Sequence, residues 1–459
     1  MKRCLLFVTC LGWLTVAGCM DHAKQSVALY ERGDYAGASR AADQQLASHP
    51  DDDNLWNAKI RAALAQGDGP AIAAAYASYT QHRDEFDKEL LRDLATATLG
   101  QALASPSVKL KLAAIEGIEE LEIESLADQV HEQLGGDNDR VIAAAAMAVL
   151  HGPYPDAFQA GTQMLHSEDA EARRIALDGF AKKLGAPALA DLEAALEDRD
   201  AKVRRTAARW LGQLKDVDAV AGLTARLTRD KDEDVRATAG LALAHLGVGN
   251  LQALGKRALA DKSLAVRTAG VELLAASHLA DADLVTLTDD ADPLLALSAA
   301  IAVRTTHPEL GAKVVARGIA APEWTTRAGV ANQLVQAVGK DAARGYAHQL
   351  LADADVHVRL AAARVLAHDG ERDAAIAAFA AVDGDPQAAA DLADLGDPRG
   401  VQRLSDLVRD PKRTADQRAE AADAHRLAHR VSPGLVAALA DPNAVVRVAA
   451  AVAIGAIAK

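Results

Sequence analysis

The chain has 459 residues, and because single cores stop growing at roughly 250–300 residues, several domains or a repeat array are expected. Half of it is apolar and a quarter charged, a folding composition, but aromatics make up only 3%, so ring-lined pockets and sugar platforms are hard to build and small aliphatic residues must do the packing. The formal charge of −14 offers no basic surface for counterion release, which argues against nucleic acid as a partner.

The N-terminus reads as an address. Lys2 and Arg3 form a short positive region, and the apolar stretch from Leu5 to Gly18 is too short to span a bilayer comfortably as a mature helix. It has the character of a signal peptide. The stretch closes on Val16-Ala17-Gly18-Cys19, which resembles the bacterial lipobox, where small residues let a peptidase cut before a Cys that carries diacylglycerol. The resemblance implies that residues 1–18 are removed, that Cys19 becomes the lipidated (palmitate-bearing) first residue, and that residues 19–25 form a tether. An ordinary secretory peptide with an incidental Cys is the other reading. Cys4 and Cys10 lie in the discarded segment and Cys19 is acylated, so no thiol remains for a disulfide, a nucleophile or a thiolate metal site. Loss of Lys2 and Arg3 takes the formal charge from −14 to −16. Several acyl chains anchor durably where one is marginal, so attachment to a membrane through the N-terminus is expected. Met20 follows the Cys, and enterobacterial lipoproteins that lack Asp there usually go to the outer membrane, facing the periplasm.

Residues 26–100 form the next segment. Gly33-Asp34-Tyr35, Ala38 and Pro50 fall at the spacing of a tetratricopeptide repeat, where Gly permits the turn, Ala allows close approach of the helices and Pro ends the second. Leu55 to Gln66 and Ala71 to His82 supply a degenerate second unit, with Gly67-Asp68-Gly69 as its turn. An unspecific helical hairpin is the alternative. No Gly/Ser linker or strand-rich stretch follows, so one continuous curved rod, all helical, is expected.

From residue 101 to 459 the chain repeats one phrase, Asp-x-Asp-x-x-Val-Arg-x-x-Ala-x-x-x-Leu. Taking the apolar residue before the Arg as anchor, copies fall at Leu110, Ile142, Ala172, Val203, Val235, Val266, Leu295, Thr326, Val358, Gln387, Gln417 and Val446, about 31 residues apart, with those at Gln387 and Gln417 the weakest. Three residues before most anchors stands a Ser, Asp, Glu, Thr or Asn, from Ser107, Asp139 and Asp169 to Thr414 and Asn443. Most of these side chains cap orphan helix N–H groups, so a helix starts there. Eight residues after each anchor comes an apolar residue, from Ile118, Leu150 and Phe180 to Ile454, with His425 the exception. These share a helical face with the Ala or Gly midway, and that face points inward. A second helical stretch precedes each cap, as in Pro187 to Leu196 and Ala342 to Leu351. Stacked hairpins of this kind bury stripes that neither helix buries alone. The phrase resembles HEAT repeats in the short form of the phycobilin-lyase-type family, over roughly three quarters of the chain. That resemblance implies an all-α α-solenoid and an Asp/Arg ladder along the stack. Lys111, Arg173, Arg204, Arg236, Arg267, Arg327, Arg359, Arg418 and Arg447 hold the basic position, and Ala143, Ala296 and Ala388 interrupt it. A cationic stripe for an acidic ligand competes with a structural role in which Asp198, Asp230, Asp261, Asp353 and Asp441 neutralise each Arg.

No Gly-x-Ser-x-Gly, His-Glu-x-x-His or Cys-x-x-Cys motif occurs, and Gly255-Lys256-Arg257 lacks the spacing and hydroxyl of a phosphate loop. The chain is therefore not expected to be an enzyme, and no cofactor is expected. His425 and His429, four apart on one helical face, are the metal candidates. No third ligand is apparent, and His425 reads equally as a hydrogen-bonded histidine in a loosened repeat. Trp210 and Phe180 belong to the core, whereas Trp324, beside Glu323 at an inter-helix turn, is a candidate partner anchor. The last helix carries one charge, Arg447, among Val448, Val452, Ile454 and Ile457. With no successor to cover it, an apolar end for docking a protein or a second copy of the chain is expected. The expected function is a protein–protein interaction scaffold or adaptor among envelope proteins, with a ligand-binding or enzyme-accessory role on the concave face as the alternative.

Overall fold

The computed structural model describes residues 22–81 and 87–459. Among them every regular element is a helix and no strand occurs. No described helix is long and apolar enough to cross a membrane. The signal segment and Cys19 lie outside the described residues, as does His82. The chain divides into two compact units, 1–90 and 91–459, and each is taken by itself.

The first unit holds two helical hairpins. Lys24–Glu31 turns into Tyr35–Leu46 at Gly33, whose φ of +81° few other residues tolerate, and the Asp34 carboxylate accepts the Gly37 N–H. Asp53–Gln66 turns into Gly69–Thr80 in the same way, with Gly67 at φ +68° and Asp68 capping Ala71. Ala38, Leu55, Ile60 and Ile72 are fully buried between these helices. The Ser26 hydroxyl is buried with them and donates to the Ala38 carbonyl.

The second unit is an α-solenoid of repeated helix pairs. Twelve helices carry the twelve anchors: Val108–Leu121, Asp139–Ala148, Ala170–Leu184, Ala201–Gln213, Glu233–Leu246, Leu264–Ser277, Pro293–Ala302, Trp324–Asn332, Val356–His368, Pro386–Asp394, Ala415–Ala428 and Ala444–Ala458. We term these the motif helices. The partner helices fall between them, from Ala127–His131 to Pro433–Ala437. The caps are as the phrase requires at Asp169, Asp200, Asp232, Asp292, Asp355 and Asn443, and Thr414 forms a full capping box with Gln417. Two caps differ from expectation. Asn138, one residue before Asp139, caps the second motif helix, and Asp385 caps the Gln387 copy. Ser107, Ser263 and Glu323 occupy the cap position without a side-chain bond.

Small residues set the curvature. A Cβ on Gly212 would lie 2.8 Å from Ala242 Cα, and one on Gly240 would lie 2.9 Å from Ala269 Cβ, so neighbouring motif helices approach almost backbone to backbone. Nearly every motif helix packs closely on its successor, whereas only two pairs of successive partner helices do the same. The motif helices therefore lie on the shorter, inner radius. Summed over twelve repeats, the bend brings the last helix back to the first: Ala444–Ala458 packs on Val108–Leu121. Val452 seats against Gly117 and Leu121 against Gly455, so closely that a Cβ on either glycine would make the facing side chain shift. Arg426 pairs with Glu120, Lys459 pairs with Glu122 at 3.0 Å, and Arg92 donates to the Lys459 carbonyl at 2.9 Å. The array is a closed ring.

Closure corrects two expectations. The array does not run as an open rod, and the apolar end is not bare. Ile454 is fully buried and Val448 is 5% exposed, with Val452 and Ile457 half-buried. Much of this face is covered by the same chain's first repeat, so Val448 and Ile454 are not offered to a partner, while Val452 and Ile457 are covered only in part.

Candidate functional site

The ladder is the most regular chemical feature of the ring. Arg204 donates through Nε and Nη2 to the two carboxylate oxygens of Asp230 in the next repeat, at 2.8 and 2.7 Å. Its Nη1 donates to the Asp198 and Arg199 carbonyls at 2.9 and 3.3 Å. Arg173–Asp198, Arg236–Asp261, Arg327–Asp353 and Arg418–Asp441 repeat the bidentate pairing. Each accepting Asp also takes a backbone N–H two residues on, as Asp198 takes that of Asp200 and Asp230 that of Asp232. The first Asp of the phrase thus joins repeats and the second starts the helix. Arg236 and Arg327 hold Asp261 and Asp353 below the usual carboxylate range. Burial pushes Asp198 and Asp230 up, yet the bonds from Arg173 and Arg204 bring both below that range as well. These guanidiniums are consumed internally, so the structural reading of the ladder holds there and no continuous cationic stripe is displayed.

The metal candidates are not brought together as ligands. His425 is fully buried, with Nδ1 2.8 Å from the Ala421 carbonyl and Nε2 2.8 Å from Ser432 Oγ. A carbonyl only accepts, so Nδ1 carries the proton, and the neutral ring accepts at Nε2 from the Ser432 hydroxyl. That hydroxyl oxygen in turn accepts the Leu435 N–H and caps the Pro433–Ala437 helix. Burial pushes His425 down to about 4. His429 ends its helix in the left-handed region, at φ 48°. Among the described residues no group of three His, Cys, Asp or Glu side chains is placed to hold a metal ion. His425 is instead a core histidine that fixes the turn after its helix.

Trp324 opens its motif helix 42% exposed, with its ring stacked on His357 at 4.7 Å. Trp210 is half-buried and donates from Nε1 to Asp178 at 2.7 Å, and Phe180 is core. The face of the motif helices left free by packing carries both charge signs. Arg209 pairs with Asp178, Arg205 with Asp234, Lys183 with Glu119 and Arg364 with Asp391. Beside the closing joint this face holds an open cavity of about 490 Å³, lined by Gln387, Asp391, Asp394, Arg426, His429 and Ile457 among others. Sequence reasoning missed it. Its signal was the weakness of the Gln387 and Gln417 copies, whose Asp391, Asp394 and Arg426 put charge where stronger copies place small or apolar residues.

Comparison with known proteins gives two family matches: HEAT repeats over residues 158–244 and the HEAT repeat over residues 431–459. No curated protein matches the sequence. Among solved structures, the complex of CpcE and CpcF of phycocyanin lyase from Nostoc is similar at 20% identity, covering 58% of this chain and 92% of that one with a TM-score of 0.29. Human deoxyhypusine hydroxylase is similar at 22% identity, covering 65% and 95% with a TM-score of 0.26. The UNC-45 chaperone is similar at 11% identity, covering 91% and 72% with a TM-score of 0.36.

Proposed function

We propose that the chain is a bacterial envelope lipoprotein, tethered to a membrane through lipidated Cys19 and facing the periplasm, whose HEAT ring is a scaffold for other envelope proteins. The N-terminal order of basic residues, apolar stretch and Val16-Ala17-Gly18-Cys19 supports the tether. The observation that carries the scaffold role is the ladder, because its Arg residues are spent joining repeats. What remains on the motif helices is an extended, mixed-sign polar face suited to protein partners. The hairpins of residues 26–100 add a tetratricopeptide-like surface to the same role, and Trp324 is an exposed aromatic of the kind that anchors interfaces. The outer membrane is the proposed address.

Labelled palmitate should enter the full-length protein in cells and should not enter Cys19→Ser. Photocrosslinking residues placed at Arg205, Leu241 and Trp324 should capture discrete envelope proteins, identified by mass spectrometry. If label never enters the wild type, the tether is wrong; if no position captures a protein, the scaffold role is wrong. The cavity of about 490 Å³ on the inner face favours a second reading, a small-ligand or enzyme-accessory role, for which purified protein should carry a bound compound visible by absorbance or mass spectrometry.

A further inference from the structure

Along the ring, ladder donors and acceptors disappear together. Where Ala143, Ala296 and Ala388 replace the basic residue, the position five before the next anchor is Ser167, Ala321 or Lys412 and not Asp. The closing joint breaks this rule. Arg447 is present in the last repeat, but five residues before Leu110 in the first repeat stands Ser105. Arg359 likewise donates to carbonyls, those of Asp353 and Ala354, but there the acceptor exists: Asp383 sits one position out of register and is bound by Arg403 at 2.9 Å. At the closing joint, none of the described residues lining the space between Arg447 and Ser105 is an acid.

The guanidinium is nevertheless held as in the complete rungs. Arg447 Nη1 donates to the Asp441 and Pro442 carbonyls at 2.7 and 3.2 Å, as Arg204 Nη1 does to Asp198 and Arg199. Ser105 Oγ accepts the Ser107 N–H at 3.2 Å, the local role that the accepting Asp has elsewhere, and its proton is left to donate. Arg447 and Ser105, the two positions that a complete rung would join, both line a cavity of about 60 Å³ at the joint, together with Thr98, Gln101, Leu110 and Ala444 among others. A cavity of this size holds a few heavy atoms, the measure of a formate or acetate ion.

We propose that this joint is a binding site for a small carboxylate anion, bound bidentately by Arg447 and by the Ser105 hydroxyl in place of the missing Asp. The ligand completes the ladder across the seam and so tightens the ring, because anything that binds only the closed form stabilises it. The scaffold role and the lipid tether play no part in this inference.

The test is thermal unfolding of the full-length protein at pH 7.5, with sodium chloride replaced stepwise by sodium acetate at constant ionic strength. The wild type should show a saturable rise of about 2 °C once acetate is well above its dissociation constant. Ser105→Asp supplies the carboxylate covalently and should melt higher in chloride with no response to acetate. Arg447→Gln should also show no response. A flat wild-type profile, or an acetate response that survives in both variants, overturns the proposal. An equal saturable rise with phosphate overturns the carboxylate assignment.

Discussion

Burying an imidazole where the other repeats place a carbon side chain has a consequence in acid. Neutral His425 fits because Nδ1 and Nε2 each have a partner inside the fold, and a second proton on the ring has no water to solvate it. Its folded value of about 4 lies below the unfolded 6.5. The unfolded chain therefore binds the proton first, and stability declines as pH falls from 6.5 towards 4. By the size of that shift the decline attributable to this one residue is about 3 kcal/mol. His425→Leu, which restores the residue type of the other repeats, should remove it. Urea unfolding at pH 7 and pH 4.5 checks this: the loss between the two pH values should be smaller in the variant, and equal losses would show that the ring is not the titrating group. Position 425 was legible in the sequence only as an exception to a pattern. Its partner Ser432 was not, because the pair is made by the turn that follows the helix and the repeated phrase says nothing of that turn.

At the scale of the helix pair, a rung binds one motif helix to the loop that starts the next. Arg236 is 8% exposed, and its fork meets Asp261 at 2.8 and 2.9 Å while Nη1 holds two carbonyls of its own turn. Arg236→Met keeps most of the buried stem but leaves a partly buried carboxylate and two carbonyls without their donor. A loss of about 2–4 kcal/mol is expected. Adding Asp261→Asn should recover part of it, and a double-mutant cycle in urea reads the coupling. Rungs such as Arg236–Asp261 and Arg327–Asp353 also respond to acid, with the sign of a depressed carboxylate. Their contribution is full above the unfolded value near 4 and is lost as pH drops through the lower folded value. That window lies beneath the one in which His425 acts. Most of this scale was legible beforehand. Caps and anchors depend on residues within a few positions of one another, and a rung joins the same two positions of the phrase in successive copies, 23–26 residues apart. Two exceptions are shifts of register: Asn138 displaces Asp139 as cap, with Val141 and Val149 buried in place of Ile142 and Leu150, and Asp383 stands one position late and is taken by Arg403.

For the ring as a whole, the decisive contacts are those of small residues. Val452 Cγ2 would lie 2.6 Å from a Cβ on Gly117, so Gly117→Val should force the first and last repeats apart. Amide exchange should then speed up in 108–121 and 444–458 together, and little in 201–246, with a larger radius of gyration. Unchanged protection in both end segments would show that the joint is not held there. The joint was not legible in the sequence. Each repeat turns the stack by a small angle, and whether the turns sum to a full circle is a property of all of them that no local motif encodes. The apolar last helix, read as uncovered, has the composition of an interior one because that is what it is. An open stack frays, since its terminal units have one neighbour each and peel away first. Here every unit has two, so melting cannot start by peeling and must break two joints at once, and one sharp transition should replace a graded one. During synthesis the converse holds: until residues 444–458 emerge the stack is only an arc, spring-like and slack, and it acquires hoop stiffness in a single late step.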